Sequence, residues 1–318
     1  MDLAELCALH GTKPSGGVPG WTLGCFRRRS ITFFNGDCDE RTLVLWLQSR
    51  GLTGDLRLLP DRPRPSSREA LGELALSELV RLAEVEGGIA ATRCEPAAAQ
   101  SVELCATFSW PDWTAFQIHA KWPEPGLLRR VGDCMIEHAP SGAYVEDWRL
   151  QPSGSGPLIG LSLLEERDAK SGRLLHRGGG LVVAGEHALF VRGRAEELPR
   201  AERLTDLMER AAREPRLLDA IFGFEASYAR RDESGRYLIQ QSTLPWREGK
   251  PLLATSGFSL DGSVLTQRAR EQGQEVERRF HVDTLEESHE DWVATPATPA
   301  AVSWLAAESA TLLRAVGK

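Results

Sequence analysis

The stretch SITFFNGDCDERTLVLWLQ, residues 30–48, sets the architecture expected for this chain. β-branched, aromatic and aliphatic residues fill both of its ends, and Asn35-Gly36 lies between them. Asn and Gly tolerate positive φ, so this dipeptide between two β-prone runs is typical of a tight hairpin turn. The stretch therefore predicts two neighbouring antiparallel strands.

The same pattern of turns between β-prone runs recurs toward the C-terminus. Asp168 to Gly172, Asp232 to Gly235 and Asp261-Gly262 supply the turn residues. Short strands with regularly spaced turns favour barrels or sandwiches over alternating parallel units. Further strands are predicted at residues 100–110, 128–138, 143–151, 158–166, 174–183, 188–194, 224–230, 237–244, 264–270 and 275–283.

Helical periodicity interrupts the strands in three places. The first helix is expected at 67–86, where Ser66 and Glu69 have capping-box spacing, and the second at 203–222 with a break before Pro215. The third, at 300–316, has an apolar face that either docks on the body of the protein or serves a protein partner.

A Gly-, Ser- and Pro-rich segment, QPSGSGP at 151–157, is the best candidate for a linker. The predicted fold is mainly β, with two antiparallel lipocalin-like β-barrel domains, a few interrupting helices and a C-terminal helix. The expected units are an N-terminal extension (1–22), a first barrel (23–152), a second barrel (153–293) and a C-terminal helical extension (294–318).

Composition and charge exclude several classes of protein. A net charge of −7 over 318 residues provides no overall basic field for nucleic acid, and no apolar stretch is long enough to span a membrane. The N-terminal residues do not resemble a secretory signal, and the six cysteines show no C-x-x-C spacing. We therefore expect a cytoplasmic protein with free thiols.

Familiar cofactor and metal motifs are incomplete in this sequence. The HEDWV run at 289–293 lacks the second histidine of a zinc-protease helix, and GSGPLIG at 154–160 misses the dinucleotide glycine spacing. Neither a phosphate-binding Walker loop nor a G-x-S-x-G nucleophile elbow occurs. The sequence therefore predicts no cofactor, no metal site and no assigned catalytic residue.

The strand-like run LTGDLRLL at 52–59 places charged residues among leucines. Because side chains alternate across a strand, Asp55 and Arg57 share one face while Leu52, Gly54 and Leu56 lie on the other. One interpretation is a solvent-facing pair on the outside of a sheet. The other places Arg57 inside a barrel, where it needs a carboxylate or an anionic ligand group to offset desolvation.

The run AYVEDWRL at 143–150 supports the second interpretation. Glu146 shares a face with Tyr144 and Trp148, and a carboxylate among aromatic residues is an informative polar position. We hypothesise that Glu146 meets Arg57 inside the first barrel, with Tyr144, Trp148 and Trp46 forming an apolar wall around them. These five residues are the predicted ligand-binding site.

Several short motifs together resemble a family of uncharacterised bacterial and fungal proteins built from two lipocalin-like β-barrels. The resemblance implies a two-barrel, calycin-like fold and no established activity. Residues 105–110 depart from the family's pattern, because CATFSW stands where a cysteine-tryptophan-x-arginine run is expected. The motifs that carry it are RSI at 29–31, WLQ at 46–48, DLR at 55–57, YVEDW at 144–148, QSTLP at 241–245 and REG at 247–249.

Three functions fit these features. The leading one is a non-enzymatic binder that holds a small, mainly apolar ligand in a barrel interior, with Arg57 and Glu146 orienting its polar end. If side chains fill the barrels, the protein is instead an interaction or scaffold module. An enzyme that uses Glu146 as general acid or base, with its pKa raised by an apolar setting, is the third.

Overall fold

The computed structural model describes residues 1–96, 104–120, 123–271, 273–289, 297 and 299–316, and it confirms a mainly β fold with two antiparallel sheets. The first sheet contains β1 (Gly24–Phe33), β2 (Cys38–Asp39), β3 (Leu43–Gln48), β4 (Leu52–Leu58), β5 (Glu86–Ala91), β6 (Arg93–Pro96), β7 (Leu104–Ser109), β8 (Thr114–Ala115), β9 (Gly126–Val131), β10 (Cys134–His138) and β11 (Tyr144–Leu150). The second contains β12 (Gly156–Asp168), β13 (Leu174–Ala184), β14 (His187–Arg194), β15 (Glu225–Arg231), β16 (Tyr237–Ser242), β17 (Phe258–Asp261), β18 (Val264–Glu271) and β19 (Gln274–His289).

The first sheet curls so far that one short segment lies at both ends of its strand order. That order is β6-β7-β9-β10-β11-β1-β3-β4-β5-β8, with β2 paired to β1. Thr92 alone separates β5 from β6, yet Ala91 pairs with Leu52 of β4 while Arg93 pairs with Ser109 of β7. The segment 86–96 therefore joins the two sides of the sheet and encloses an interior.

The second sheet is also curled, in the order β16-β15-β14-β13-β12-β19-β18-β17. The segment that follows residue 249 lies between its edges. Leu252 N donates to Tyr237 O of β16 at 2.9 Å, and Arg268 N of β18 donates to Gly257 O at 3.0 Å. The segment thus pairs with the edge strand β16 and extends the pairing of β17 with the inner strand β18.

The two sheets pack directly against each other through the leucine face of β4. Leu52 and Leu56 share one hydrophobic cluster with Leu189 of β14. A Cβ added at Gly54 would stand 2.8 Å from Leu189 Cδ2, so glycine permits the close approach at this point. The leucine face of the 52–58 strand is therefore an interface between sheets, and the opposite face points into the first interior.

The helices pack against the two sheets. Leu3, Leu6 and Cys7 of α1 (Leu3–Leu9) join the core of the second sheet, although the segment 1–22 was expected to be an extension. Trp304 and Leu305 of α5 (Pro299–Val316) pack against Cys134 and Ile136 of β10. The C-terminal helix thus exists as predicted, and it docks on the first sheet.

Two predicted helices are shorter than expected. The helix expected at 67–86 is a 3-10 turn (Glu69–Glu73) followed by α2 (Leu76–Ala83), because Ala75 between them is extended with ψ near 155°. The helix expected at 203–222 is a 3-10 turn (Leu204–Leu207), α3 (Met208–Ala211) and α4 (Pro215–Ile221). Its break before Pro215 was predicted. Further 3-10 turns lie at Gly20–Thr22 and Pro245–Arg247.

The strand limits also differ in places from those expected. The single strand predicted at 128–138 is a hairpin of β9 and β10, in which Gly132 adopts φ +63° at the turn. Of the strand predicted at 100–110, residues 100–103 lie outside the described part of the chain. The last strand of the first sheet ends at Leu150 and the first of the second begins at Gly156. The expected boundary at 293/294 also lies outside the described residues.

No helix within the described ranges is both long enough and apolar enough to cross a membrane. All six cysteines fall within those ranges and are free thiols. Burial raises the pKa of the Cys7 and Cys134 thiols to about 12, so both behave as small apolar side chains at neutral pH.

Candidate functional site

The interior of the first sheet holds a cavity of about 670 Å³ that opens beside the C-terminal end of α2. This volume lies within the range of small-molecule sites in proteins. Residues of β1, β3, β4, β5, β10 and β11 line its walls, and the segments 115–120 and 202–205 stand at its mouth. The five residues of the predicted site all line this one cavity: Trp46, Arg57, Tyr144, Glu146 and Trp148.

Arg57 and Asp55 point into the cavity from β4. Arg57 Nε donates to Asp55 Oδ2 at 2.7 Å, and Arg57 Nη1 lies 3.7 Å from Glu146 Oε1. Burial would lower the pKa of Arg57, but the carboxylates of Asp55, Glu146 and Glu86 raise it well above its ordinary value. The predicted meeting of Arg57 and Glu146 is therefore present as an ion pair.

Glu146 of β11 has a closer partner that sequence reasoning missed. Arg28 Nη1 donates to Glu146 Oε1 at 2.7 Å, and Arg28 Nη2 donates to Asp39 Oδ2 at 3.0 Å. Although Arg28 belongs to the run of three arginines at 27–29, only 7% of it is exposed. Strand alternation was the available signal, since Arg28 shares its face with Phe26 of the core.

Glu137 of β10 is the second missed residue. It stands directly across from Glu146 in the β10–β11 ladder and accepts a hydrogen bond from Trp148 Nε1 at 3.1 Å. Burial, together with the negative charge of Glu146, raises the pKa of Glu137 to about 8. Glu137 is therefore protonated at neutral pH.

Tryptophan side chains form much of the cavity wall. The Trp46 ring lies 5.6 Å from that of Trp148 at an interplanar angle of 63°, and 6.4 Å from that of Trp110 at 89°. Trp113 follows, 6.5 Å from Trp110. The cavity wall therefore combines tryptophan rings with the carboxyl groups that line the same space.

Polar groups of the protein hold the indole nitrogens of this wall. Trp110 Nε1 donates to Thr53 Oγ1 at 2.9 Å, and Trp46 Nε1 donates to the same oxygen at 3.4 Å. Trp148 donates to Glu137, as described above. Three indole N–H groups are thus satisfied internally, and the faces and edges of the rings remain for contact with a bound molecule.

Tyr144 completes the site from β11, where it shares its inward face with Glu146. It is 6% exposed and packs with Ile31 and Ala139. Burial, together with the charges of Glu137 and Glu146, raises the pKa of Tyr144 well above its ordinary value. Its hydroxyl therefore stays protonated at neutral pH and retains a proton to donate.

The interior of the second sheet is filled by side chains. Phe190 and Phe280 are 1% and 0% exposed, and Arg278, also 0% exposed, lies beside them. Arg278 Nε donates to Glu166 Oε2 at 2.7 Å, and its Nη1 donates to Glu271 Oε1 at 2.8 Å. Here the charged groups pair with one another in a packed core.

That network continues through two further arginines. Arg192 contacts both Glu166 and Glu225, and Arg247 Nε donates to Glu225 Oε1 at 2.9 Å. Burial alone would raise the pKa of Glu166, but the charges of Arg192 and Arg278 lower it to about 2. We call this cluster (Glu166, Arg192, Glu225, Arg247, Glu271 and Arg278) the second-sheet ion network.

Metal chemistry finds no support in the described ranges, where no group of three or more His, Cys, Asp or Glu side chains is placed to hold a metal ion.

Comparison with known proteins leaves the function open. No family model matches the chain, and no curated protein matches it. A solved structure of an uncharacterized protein, YLR301w from Saccharomyces cerevisiae, is similar at 13% identity with a TM-score of 0.41, covering 83% of this chain and 98% of that one. The resemblance to a two-barrel lipocalin-like family therefore stays a prediction.

Proposed function

We propose that this protein binds a small, mainly apolar molecule in the interior of the first sheet, with Arg57 and Glu146 orienting its polar end. The observation that carries the proposal is the cavity of about 670 Å³, whose wall combines tryptophan rings with a few buried charged groups. Apolar walls with a small number of placed polar groups are typical of ligand sites.

The contrast between the two interiors supports assigning binding to the first sheet. A scaffold module needs side chains to fill both interiors, and the fully buried Phe190, Phe280 and Arg278 fill the second. In the first, Trp46 and Trp148 line open space. We assign the second sheet a supporting role, because its face contacts the leucines of β4 and holds that strand in place.

A thermal-shift screen tests the proposal directly. Small aromatic molecules, fatty acids and haem are added to the protein, and a ligand that binds only the folded state raises Tm by mass action. Trp110→Leu removes part of the cavity wall and should abolish the shift. Trp246→Leu is the matched control, because Trp246 is also half-buried but lies outside the cavity.

The outcomes of this screen separate the candidates. A shift that survives Trp110→Leu but disappears in Trp246→Leu would place binding elsewhere. The absence of a shift with every class of compound would leave the scaffold function as the better proposal.

Acid–base catalysis is a second candidate, favoured by the pairing of Glu137 with Glu146. A protonated Glu137 is able to donate a proton, while Glu146, held by Arg28, provides a neighbouring negative charge. Nitrophenyl esters and glycosides incubated with the protein between pH 6 and 9 provide a test. Turnover that Glu137→Gln abolishes would favour an enzyme, and no turnover in this panel would count against one.

Two further expectations concern the location of the protein and a protein partner at its C-terminal helix. We propose a cytoplasmic protein of the two-barrel type that the sequence resembles. The Arg129 guanidinium covers Trp304 at 4.5 Å, and Trp304 packs on the first sheet. This contact counts against a protein partner at the C-terminal helix, because Trp304 is already engaged.

A further inference from the structure

We infer that the ligand of the first-sheet cavity is an organic cation, an amine on an aromatic or apolar body. This inference rests on the proposed function and narrows it to one chemical class. Three features of the cavity support it: the hydrogen-bonding capacity of its polar groups, the charge of its lining residues and its tryptophan rings.

The polar groups of the cavity offer acceptors. Asp55 Oδ1 is buried and has no hydrogen-bond partner among the described residues, whereas Asp55 Oδ2 is bound by Arg57. A buried acceptor without a partner costs free energy that a ligand N–H would recover. The guanidinium of Arg57 is already engaged by two carboxylates, so an anionic ligand would have to compete with Asp55 and Glu146.

The charge of the residues that line the cavity also favours a positively charged ligand. Six carboxyl side chains line the cavity, five besides the protonated Glu137, against two guanidinium groups, those of Arg57 and Arg203. Arg203 donates to Asp206 at 2.8 Å with 77% of its side chain exposed, so it adds little positive potential inside. A cleft lined mainly by one sign of charge attracts ligands of the opposite sign.

The tryptophan rings of the cavity wall also favour a cation. Trp46, Trp110 and Trp148 all line the cavity, and the Trp46 ring stands edge to face with the other two at 89° and 63°. The face of an indole is its negative pole and attracts a cation within about 6 Å of the ring centre. Because three of the indole N–H groups are occupied inside the protein, the rings compete little with a ligand for the acceptors.

A matched set of probes separates this inference from the proposed function. Biphenylmethylamine, biphenylmethanol and biphenylcarboxylate share one apolar body and differ in charge, and calorimetry measures the affinity of each at neutral pH. We expect the amine to bind at least about tenfold more tightly than the alcohol, and the carboxylate to bind least. If the alcohol or the carboxylate binds best, the inference fails while the proposed function stands. If none of the three binds, the inference fails, and the proposed function is decided by the thermal-shift screen.

A pair of variants tests the role of Asp55. Asp55→Asn keeps the size of the side chain and removes its charge, so the amine should lose at least about tenfold in affinity while the alcohol changes little. Asp219→Asn is the control, since Asp219 also pairs with an arginine, Arg68, but lies outside the cavity. An equal loss for amine and alcohol in Asp55→Asn would overturn the assigned role.

The unmodified protein supplies a test that needs no variant. Glu137 faces Glu146 and Trp148 on β11, Asp55 and Arg57 on β4, and the charge of Tyr144 if it ionises. A permanently charged biphenylmethyl-trimethylammonium ion should therefore bind more tightly as pH rises from about 6 to about 8, where binding releases a proton from Glu137, and its affinity should level off above about 8. Affinity that is flat or falls between these two pH values contradicts a cation beside these carboxylates.

Discussion

The two sheets of this protein differ in how the buried charged groups of their interiors are paired. Both bury arginines and carboxylates in their interiors, which is costly unless the charges are paired. In the second sheet, Glu225 is bound by Arg192 and Arg247, and the space around the network is filled with side chains. In the first, Asp55 keeps an oxygen without a partner and faces open space.

This difference teaches where each interior is able to serve a function. In the second-sheet ion network Arg192 Nε is buried without a hydrogen-bond partner, but each carboxylate oxygen of Glu166, Glu225 and Glu271 is bound by an arginine, so these carboxylates have no acceptor left for a ligand. A cavity with an unpartnered acceptor loses stability, and a bound donor would recover it. The four predictions below test this contrast, in order of decreasing effect.

The largest effect is expected from Arg278→Met in the second-sheet ion network. The change keeps the apolar stem but leaves the buried Glu166 and the largely buried Glu271 with a missing partner. Breaking a buried ion pair in this way costs about 3–5 kcal/mol of unfolding free energy. Urea denaturation measures the loss.

Arg268→Met is the matched control on the neighbouring β18. Arg268 pairs with Glu277 at 2.7 Å but has 77% of its side chain exposed, so its replacement should change stability by less than about 0.5 kcal/mol. A similar small loss in Arg278→Met would mean that the second interior is wet and that the contrast between the sheets is wrong.

The second effect is a change in the pH dependence of stability caused by Glu137→Gln. The folded-state pKa of Glu137 is about 8, above the ordinary 4.5, so the folded protein binds the extra proton between these values. Stability therefore falls as pH rises through this window, by about 1.4 kcal/mol per pH unit at most. Glutamine removes this fall, so the unfolding free energy of the variant should increase relative to that of the natural protein as pH rises.

Urea midpoints at several pH values between 5.5 and 7.5 measure that gain, which should reach roughly 2 kcal/mol across the range. The exposed Glu233 supplies the control, since Glu233→Gln should leave the slope unaltered. A wild-type slope retained in Glu137→Gln would show that Glu137 is ionised in the cavity, and that the cavity is more solvated than its burial indicates.

A smaller effect is expected from Thr53→Val, which keeps the shape of the side chain and removes its hydroxyl. Trp110 Nε1, at 2.9 Å, then loses its acceptor beside the cavity. An unsatisfied indole N–H costs about 1–3 kcal/mol, and near-ultraviolet circular dichroism should report the loosened ring. Thr266→Val, at a half-buried threonine of β18, should cost less than about 0.5 kcal/mol.

Much of the fold was predictable because local signals agreed with it. The Asn35-Gly36 turn and the turns after Asp168 and Asp232 mark hairpins by their chemistry alone, and the structure forms those hairpins. Alternation along β4 predicted that Asp55 and Arg57 share a face. What alternation does not report is which face meets the second sheet, since that depends on packing between residues distant in sequence.

The site was only partly predictable for the same reason. Glu146 among aromatic residues signalled an interior carboxylate, but Glu137 and Arg28 meet it only through the pairing of β10, β11 and β1. Which member of a carboxylate pair takes the proton depends on the contacts of each, and Glu146 takes the arginine. Trp110 and Trp113 join the wall because the chain returns to β5 through β8, a pairing that no local motif encodes.

The smallest effect on stability is expected from Asp55→Asn, and it is the sharpest test of the comparison. The amide oxygen of asparagine still accepts from Arg57 Nε, and Arg57, 27% exposed, keeps Glu146 within 3.7 Å. Because one oxygen of Asp55 has no partner to lose, the cost should stay below about 1 kcal/mol. Glu225→Gln, whose carboxylate contacts the buried Arg247 and Ser227 and the largely buried Arg192, should cost several times more in the same urea titration. Equal losses in the two variants would mean that the charges of the first sheet hold its fold as those of the second do. The acceptor at Asp55 would then be structural, and it would not be free to recognise a ligand.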